Sequence, residues 1–175
     1  VAEVGIPLRI TEIMYHPPGS EGFEFVELQN VGGVPVNASG VMVVGTGYRI
    51  PDGTVISPGE RYLIASGTHP TEFQARYPGT VVHGYFGGSL SNNGERVSIE
   101  DRDGRIITAV DYHDSGGWPL DADGQGASLE VINPGGDPND PANWRGSLNP
   151  GGSPGAAPAI TLPPGVRLNE VMTAG

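Results

Sequence analysis

The sequence predicts an all-β antiparallel sandwich carrying one short helix, and three observations predict it. Gly and Pro number 29 and 17 of the 175 residues. They fall between short apolar runs instead of gathering into long tracts, which is how strands and tight turns are punctuated. The runs, roughly eight to ten of them, have strand length and mostly alternate apolar with polar residues. Only one stretch has helical spacing. Two stacked antiparallel sheets are the arrangement in which such elements bury their apolar faces.

Residues 6–15 form the first strand, closed by the rigid turn His16-Pro17-Pro18-Gly19. Phe23 to Leu28 is the second, with Val26 and Leu28 on one face and Phe25 on the other. Val34-Pro35-Val36 is followed by Val41-Met42-Val43-Val44, a continuous apolar run that reads as a strand covered on both faces. Pro51-Asp52-Gly53 and Pro58-Gly59 are turns, the latter of type II because Gly accepts the positive φ. Arg61 to Ala65 is the next strand. Thr71-Glu72-Phe73-Gln74 has the spacing of a capping box, Phe73 and Tyr77 share a face, and Pro78-Gly79 stops the helix. A helix this short persists only when packed. A hairpin joins Val97–Ile99 to Ile106–Tyr112 through a two-residue Asp103-Gly104 turn. That turn pairs Ile99 with Thr108 and Val97 with Val110, and it places Val97, Ile99, Ile106 and Val110 on one face. Ser128 to Ile132 is the last strand, and 146–165, rich in Gly, Pro, Ala and Ser, reads as a linker.

Bulk properties exclude several functions. The formal charge is −11, from 20 acids against 9 bases. An acidic protein lacks the phosphate-neutralising surface that nucleic-acid binding needs, and it is not drawn to anionic lipid. The absence of cysteine removes disulfides and thiolate metal sites. No apolar run approaches the roughly 20 residues of a membrane-spanning helix, so membrane insertion is not expected.

Several stretches, taken in order, resemble the lamin-tail domain family. They are Ile10-Thr11-Glu12-Ile13-Met14, Glu24-Phe25-Val26-Glu27-Leu28-Gln29-Asn30 and Gly88-Ser89-Leu90-Ser91-Asn92-Asn93-Gly94-Glu95. Trp118-Pro119, Gly126-Ala127-Ser128-Leu129-Glu130, Asn139-Asp140-Pro141-Ala142-Asn143-Trp144 and Gly152-Ser153-Pro154-Gly155 complete the set. The resemblance implies an immunoglobulin-like sandwich over 6–158 without catalytic residues. It is nearer the bacterial form, found in multi-module secreted or surface proteins, than the animal nuclear form. Two features depart from the family: Val41 follows Ser39-Gly40 where Trp is common, and no coiled-coil heptads precede the domain.

Leu8-Arg9-Ile10-Thr11-Glu12-Ile13-Met14 returns, residue type by residue type, as Val166-Arg167-Leu168-Asn169-Glu170-Val171-Met172. This divides the sequence into a domain at 6–158, a linker at 159–165, and at 166–175 the first strand of a following, truncated repeat. Such a strand is expected to be ordered only by pairing with a sheet edge.

Candidate chemistry is sparse. Asp111, Asp114, Asp121, Asp123, Asp137, Asp140 and Glu130 form an acidic constellation, and Asp121-Ala122-Asp123-Gly124 begins like an oxygen-ligand calcium loop. The position where such a loop carries its closing glutamate holds Ile132. Asp121, Asp123, Asp137 and Asp140 are the calcium candidates, against the simpler reading that Asp fills exposed turns. Asp140-Pro141 also suits a helical N-cap and first position. Glu12 and Glu27 become neighbours if the first two strands pair. They would then be an acid/base pair, charges that alternation turns to the solvent face, or caps for backbone N–H groups of a neighbouring loop. His16, His69, His83 and His113 have no metal-site spacing, and no lysine completes a phosphate loop. The one Gly-x-Ser-x-Gly spacing, Gly151–Gly155, lies in the Gly/Pro-rich stretch and not between a strand and a helix, so no nucleophile elbow supports a serine triad. Of the aromatics, Phe25 and Trp118 are the candidates for a sugar-stacking surface. The expected function is a non-catalytic interaction or spacer module of a secreted or surface bacterial protein. Its partners are a protein or cell-surface glycan and the adjacent modules of the same polypeptide. The alternatives are a carbohydrate- or cell-wall-binding module and a calcium-stabilised adhesion repeat. No cofactor is expected beyond that calcium.

Overall fold

The computed structural model describes residues 5–161, and among them are twelve strands and one α-helix, ten of the strands forming two facing sheets. The first six strands are β1 (Leu8–Met14), β2 (Phe25–Asn30), β3 (Val36–Asn37), β4 (Met42–Val44), β5 (Tyr48–Arg49) and β6 (Val55–Ile56). β7 (Arg61–Ser66), α1 (Pro70–Arg76), β8 (Gly84–Phe86), β9 (Gly94–Glu100) and β10 (Ile106–His113) follow, then β11 (Leu129–Val131) and β12 (Trp144–Gly146). One sheet runs β12-β11-β1-β2-β7-β8 and the other β10-β9-β4-β5, with β3 and β6 as a separate pair. All pairings are antiparallel except β7 with β8.

β1 changes face half-way along. Its pairing with β2 shifts between Ile10 and Glu12, so Thr11 is the extra residue of a bulge. Leu8 and Ile10 before it, and Ile13 and Tyr15 after it, enter the core between the sheets. Met14 packs on the opposite face, the side Glu12 shares. Val26, Leu28, Ile64 and Leu129 from the same sheet meet Val43, Val97, Ile99, Val110 and Tyr112 from the other. Each such buried aliphatic contributes about 1.5–3 kcal/mol.

The outer face of the large sheet is also covered. Phe25, Leu63 and Ala65 pack with Met14 against Phe73 of α1. The Phe25 ring stands edge-on to Phe73 at 6.3 Å and to Tyr77 at 6.1 Å. The predicted helix is therefore present, but its cap is different. His69 precedes it without a side-chain hydrogen bond, and Pro70 occupies the first turn, so the expected capping box at Thr71–Gln74 is absent.

The hairpin has the expected register through an unexpected turn. Thr108 pairs with Ile99 and Val110 with Val97. The loop is longer by one residue, Arg102-Asp103-Gly104, with the Asp101 N–H bonded to Arg105 O and Asp101 Oδ1 accepting from the Asp103 and Arg105 amides. A register shift between Ile106 and Thr108 restores the alignment. It also removes Ile106 from the core face: Ile106 is exposed, and Ile107 packs against the core instead.

Three further expectations are corrected. Val41–Val44 is not covered on both faces, since Val43 is buried while Val44 is exposed. β11 is not the last strand, because Trp144–Gly146 adds β12 beside it. The 146–165 segment is not a linker throughout: Ser147 and Ser153 are buried and 147–155 lies on the sheet. The predicted strand at 166–172 lies outside the described residues.

Candidate functional site

Glu12, Glu27 and Glu130 stand in one row across β2, β1 and β11, where strand register makes Glu12 the direct partner of both others. All three are at most 1% exposed. The bulge at Thr11 is what brings Glu12 to this face.

The segment that follows β12 closes over the row as a strap. Ser147 begins it, exchanging hydrogen bonds with Ser128: Ser147 N donates to Ser128 O at 2.9 Å and Ser128 N to Ser147 Oγ at 3.0 Å. Tyr77, at the end of α1, donates to Gly151 O at 2.7 Å. The Ser153 amide donates to Glu12 Oε1 at 2.7 Å and the Gly155 amide to Glu27 Oε2 at 2.8 Å. Ser153 Oγ lies 3.1 Å from Glu12 Oε2 and 3.0 Å from Glu130 Oε1. Arg145 then donates to Ala159 O at 2.8 Å. Gly152, at φ +86°, passes so close to Glu12 that a Cβ there would collide with its Oε1.

The remaining lone pairs are answered by side chains. Glu27 Oε1 accepts from Arg61 and, at 2.8 Å, from Thr11 Oγ1. Glu130 Oε2 accepts from Arg145 Nε at 3.2 Å and lies 3.1 Å from Nη2 in an ion pair. Glu12 Oε1 accepts from Ser128 Oγ at 2.6 Å. Burial pushes the Glu12 carboxyl up to about 8, against the hydrogen bonds from Ser128 and Ser153 that favour its charge. Burial raises Glu27 as well, opposed by Arg61. At the far end of β2, Glu24 is buried too and accepts from the Leu90 amide at 2.9 Å, while its Oε1 has no partner. Burial lifts that carboxyl to about 7.

This arrangement suits capping and not acid/base work. The three carboxyls are sealed from solvent, Glu12 and Glu27 bonded to backbone N–H groups of the strap and Glu130 to the Ser153 hydroxyl. That is the capping alternative for Glu12 and Glu27; the solvent-face alternative fails because the strap and α1 cover that face of the sheet.

The other predicted site residues are buried or placed in turns. Phe25 is fully buried under α1 and Trp118 is 4% exposed, packed 6.0 Å from Trp144, so neither presents a ring to solvent. Alternation correctly put Phe25 on the face opposite Val26, but that face is covered by the helix. The four calcium candidates lie in two turns, Asp121 and Asp123 about the 3₁₀ turn Leu120–Ala122 and Asp137 and Asp140 in the turn that precedes Pro141. Asp123 Oδ1 lies 2.6 Å from His16 Nδ1, Asp137 accepts from the Asn139 amide, and Asp140 caps the turn at Pro141 by accepting from the Ala142 amide. Asp121 sits against Gly146 of β12. Among the described residues no group of three or more His, Asp or Glu is arranged to hold a metal ion. Nor is any helix there long and apolar enough to cross a membrane.

Ser153, Arg61 and Arg145 had no sequence signal as partners of the row, because each reaches it from a distant element. A signal did exist for Glu130. Ser128-Leu129-Glu130-Val131, like Thr11-Glu12-Ile13 and Val26-Glu27-Leu28, sets one acid inside an apolar strand.

No curated protein and no solved structure matches the sequence. The family model of the Lamin Tail Domain matches residues 3–114, which ends with β10 and leaves β11, β12 and the strap beyond the match. That family is one of non-enzymatic, immunoglobulin-like interaction modules. With well over half of its residues matched and a two-sheet sandwich as its fold, the chain belongs to the lamin tail domain family.

Proposed function

We propose that the protein is a non-catalytic interaction and spacer module of a larger secreted or surface bacterial protein, meeting a protein or surface glycan and the modules next to it. The observation that carries this is the fate of the buried acids. Glu12, Glu27 and Glu130, the densest group of ionisable side chains withdrawn from water among the described residues, are bonded to the protein's own strap and arginines. Chemistry held in this way stabilises a rigid body and offers a substrate nothing to react with. Burial of Phe25 and Trp118 weighs against the sugar-binding alternative, and the lack of a converging ligand set among the described residues weighs against the calcium alternative.

The test combines three measurements on the purified protein: a hydrolase substrate panel, a glycan array and melting with and without calcium after chelation. Expected are no turnover and a calcium-independent melting temperature. Turnover abolished by Glu12→Gln would overturn the non-catalytic reading. Saturable binding to one glycan class selects a sugar-binding module, and a calcium-dependent rise in melting temperature selects the adhesion repeat.

A further inference from the structure

We propose that the hydrogen-bonded series Glu12–Ser153–Glu130 holds one resident proton on Glu12 at neutral pH, and that this proton latches the strap onto the sheet, so that closure weakens as pH rises.

A serine hydroxyl carries one hydrogen, yet Ser153 Oγ lies within bonding distance of two carboxyl oxygens, Glu12 Oε2 and Glu130 Oε1. Both contacts are hydrogen bonds only if one of the carboxyls supplies a second hydrogen. With both ionised, one contact sets lone pairs against lone pairs in a site closed to water.

Charge pairing decides which carboxyl holds the proton. Glu27 has Arg61 and Glu130 has Arg145, while among the described residues no arginine pairs with Glu12. The groups that face Glu12 are Glu27 from β2, Glu130 from β11, Ser128 before β11, and Ser153 of the strap, with Tyr77 beyond α1 also felt there. Arg61 and Arg145 lie beyond the two flanking glutamates, and Arg76 of α1 stands beside Gly151. Three carboxyls thus share two guanidinium partners, and the central acid is the one left over.

The geometry assigns the proton to one oxygen. Glu12 Oε1 accepts from both Ser128 Oγ and the Ser153 amide, which suits a carbonyl oxygen. Oε2 then bears the hydrogen and donates to Ser153 Oγ, whose own hydrogen goes to Glu130 Oε1. Every donor finds an acceptor. The rise of the Glu12 carboxyl to about 8 through burial agrees with this. Loss of the proton places a third negative charge in the row and breaks a link between strap and sheet.

Glu12→Gln is the discriminating variant, since its Nε2 can donate to Ser153 Oγ as the protonated acid does while Oε1 keeps its two donors. Chemical denaturation of both proteins from pH 5 to 9 is expected to give similar stabilities at the acid end. The variant then gains up to tenfold in relative folding equilibrium constant per pH unit, levelling off near pH 8. A constant deficit of the variant at every pH, or a gain by the wild type as pH rises, would overturn the proposal. A second measurement holds even if the variant does not fold. In a Glu24→Gln background, infrared spectra at neutral pH are expected to contain one protonated-carboxyl C=O stretch that is lost on alkaline titration. Its absence at neutral pH would also overturn the proposal.

Discussion

Arg96 and Asp111 meet across β9 and β10 with side chains 52% and 43% exposed, while Arg61 and Glu27 meet across β2 and β7 with side chains 16% and 0% exposed. Both are cross-strand pairs of opposite charge. They differ in what lies above the sheet. The outer face of the four-stranded sheet leaves its ion pair to water, which screens it and solvates either ion when the partner leaves. The outer face of the six-stranded sheet is roofed by α1 and the strap, so a carboxylate there has no solvent to return to. A buried charge constrains its neighbours, and the strap follows the glutamate row for that reason.

Removing the roof is expected to have the largest effect. Phe25→Ala empties the space between β2 and α1 and should destabilise the domain by about 3–5 kcal/mol in urea denaturation. A loss under about 1 kcal/mol would mean the helix does not seal that face. Arg61→Ala comes next. It leaves Glu27 buried without its cation and should cost about 3 kcal/mol, much of it recovered in the Arg61→Ala, Glu27→Gln double variant. If the double variant is no better than the single, the cost lies in lost packing and not in the orphaned charge.

A pH profile sharpens the comparison at the other end of β2. Burial raises Glu24 to about 7 from its ordinary 4.5, so between those values the folded protein keeps a proton the unfolded one has released. Stability contributed by Glu24 is therefore present in acid and is lost as pH rises through that window, by at most about 1.4 kcal/mol per pH unit. Glu24→Gln should remove the Glu24 share of that slope and leave the share of Glu12, which keeps its proton across the same window. The difference between variant and wild type is the quantity to measure, since His83, lowered by burial, contributes with the opposite sign on the acid side of its ordinary value. Parallel profiles would show that Glu24 does not bind a proton on folding. The smallest effect belongs to the open sheet. Arg96→Ala should cost less than about 1 kcal/mol and lose even that at high salt. A cost like that of Arg61→Ala would erase the distinction between the two faces.

Much of the fold was legible because local chemistry specifies it. Alternation marked Val26 and Leu28 as core, Pro58-Gly59 takes its turn with Gly59 at φ +75°, and Phe73 and Tyr77 pack on one side of the helix. The Asp-Gly signal yielded the correct hairpin register, yet the loop holds one residue more and a bulge absorbs it, which no short-range pattern encodes. Phe25 and Trp118 were assigned to the right kind of position but given the wrong environment. Exposure depends on what is packed above a face, and α1 and Trp144 come from elsewhere in the sequence.

The sequence by itself determined the longer strands, most of their faces, the single helix and an acid embedded in each of three apolar strands, because these follow from side-chain period and turn chemistry. The short strands β5, β6, β8 and β12 carry too few residues to show a period. Only the tertiary structure decided that those acids share one sheet face. The bulge at Thr11 rotates Glu12 out of the core, and register sets it between Glu27 and Glu130. It also decided that a Gly- and Pro-rich segment with the composition of a linker is a structural strap. Its amides are the donors that the buried carboxyls require, and a polar group sealed from water is stable only where the fold supplies such a partner.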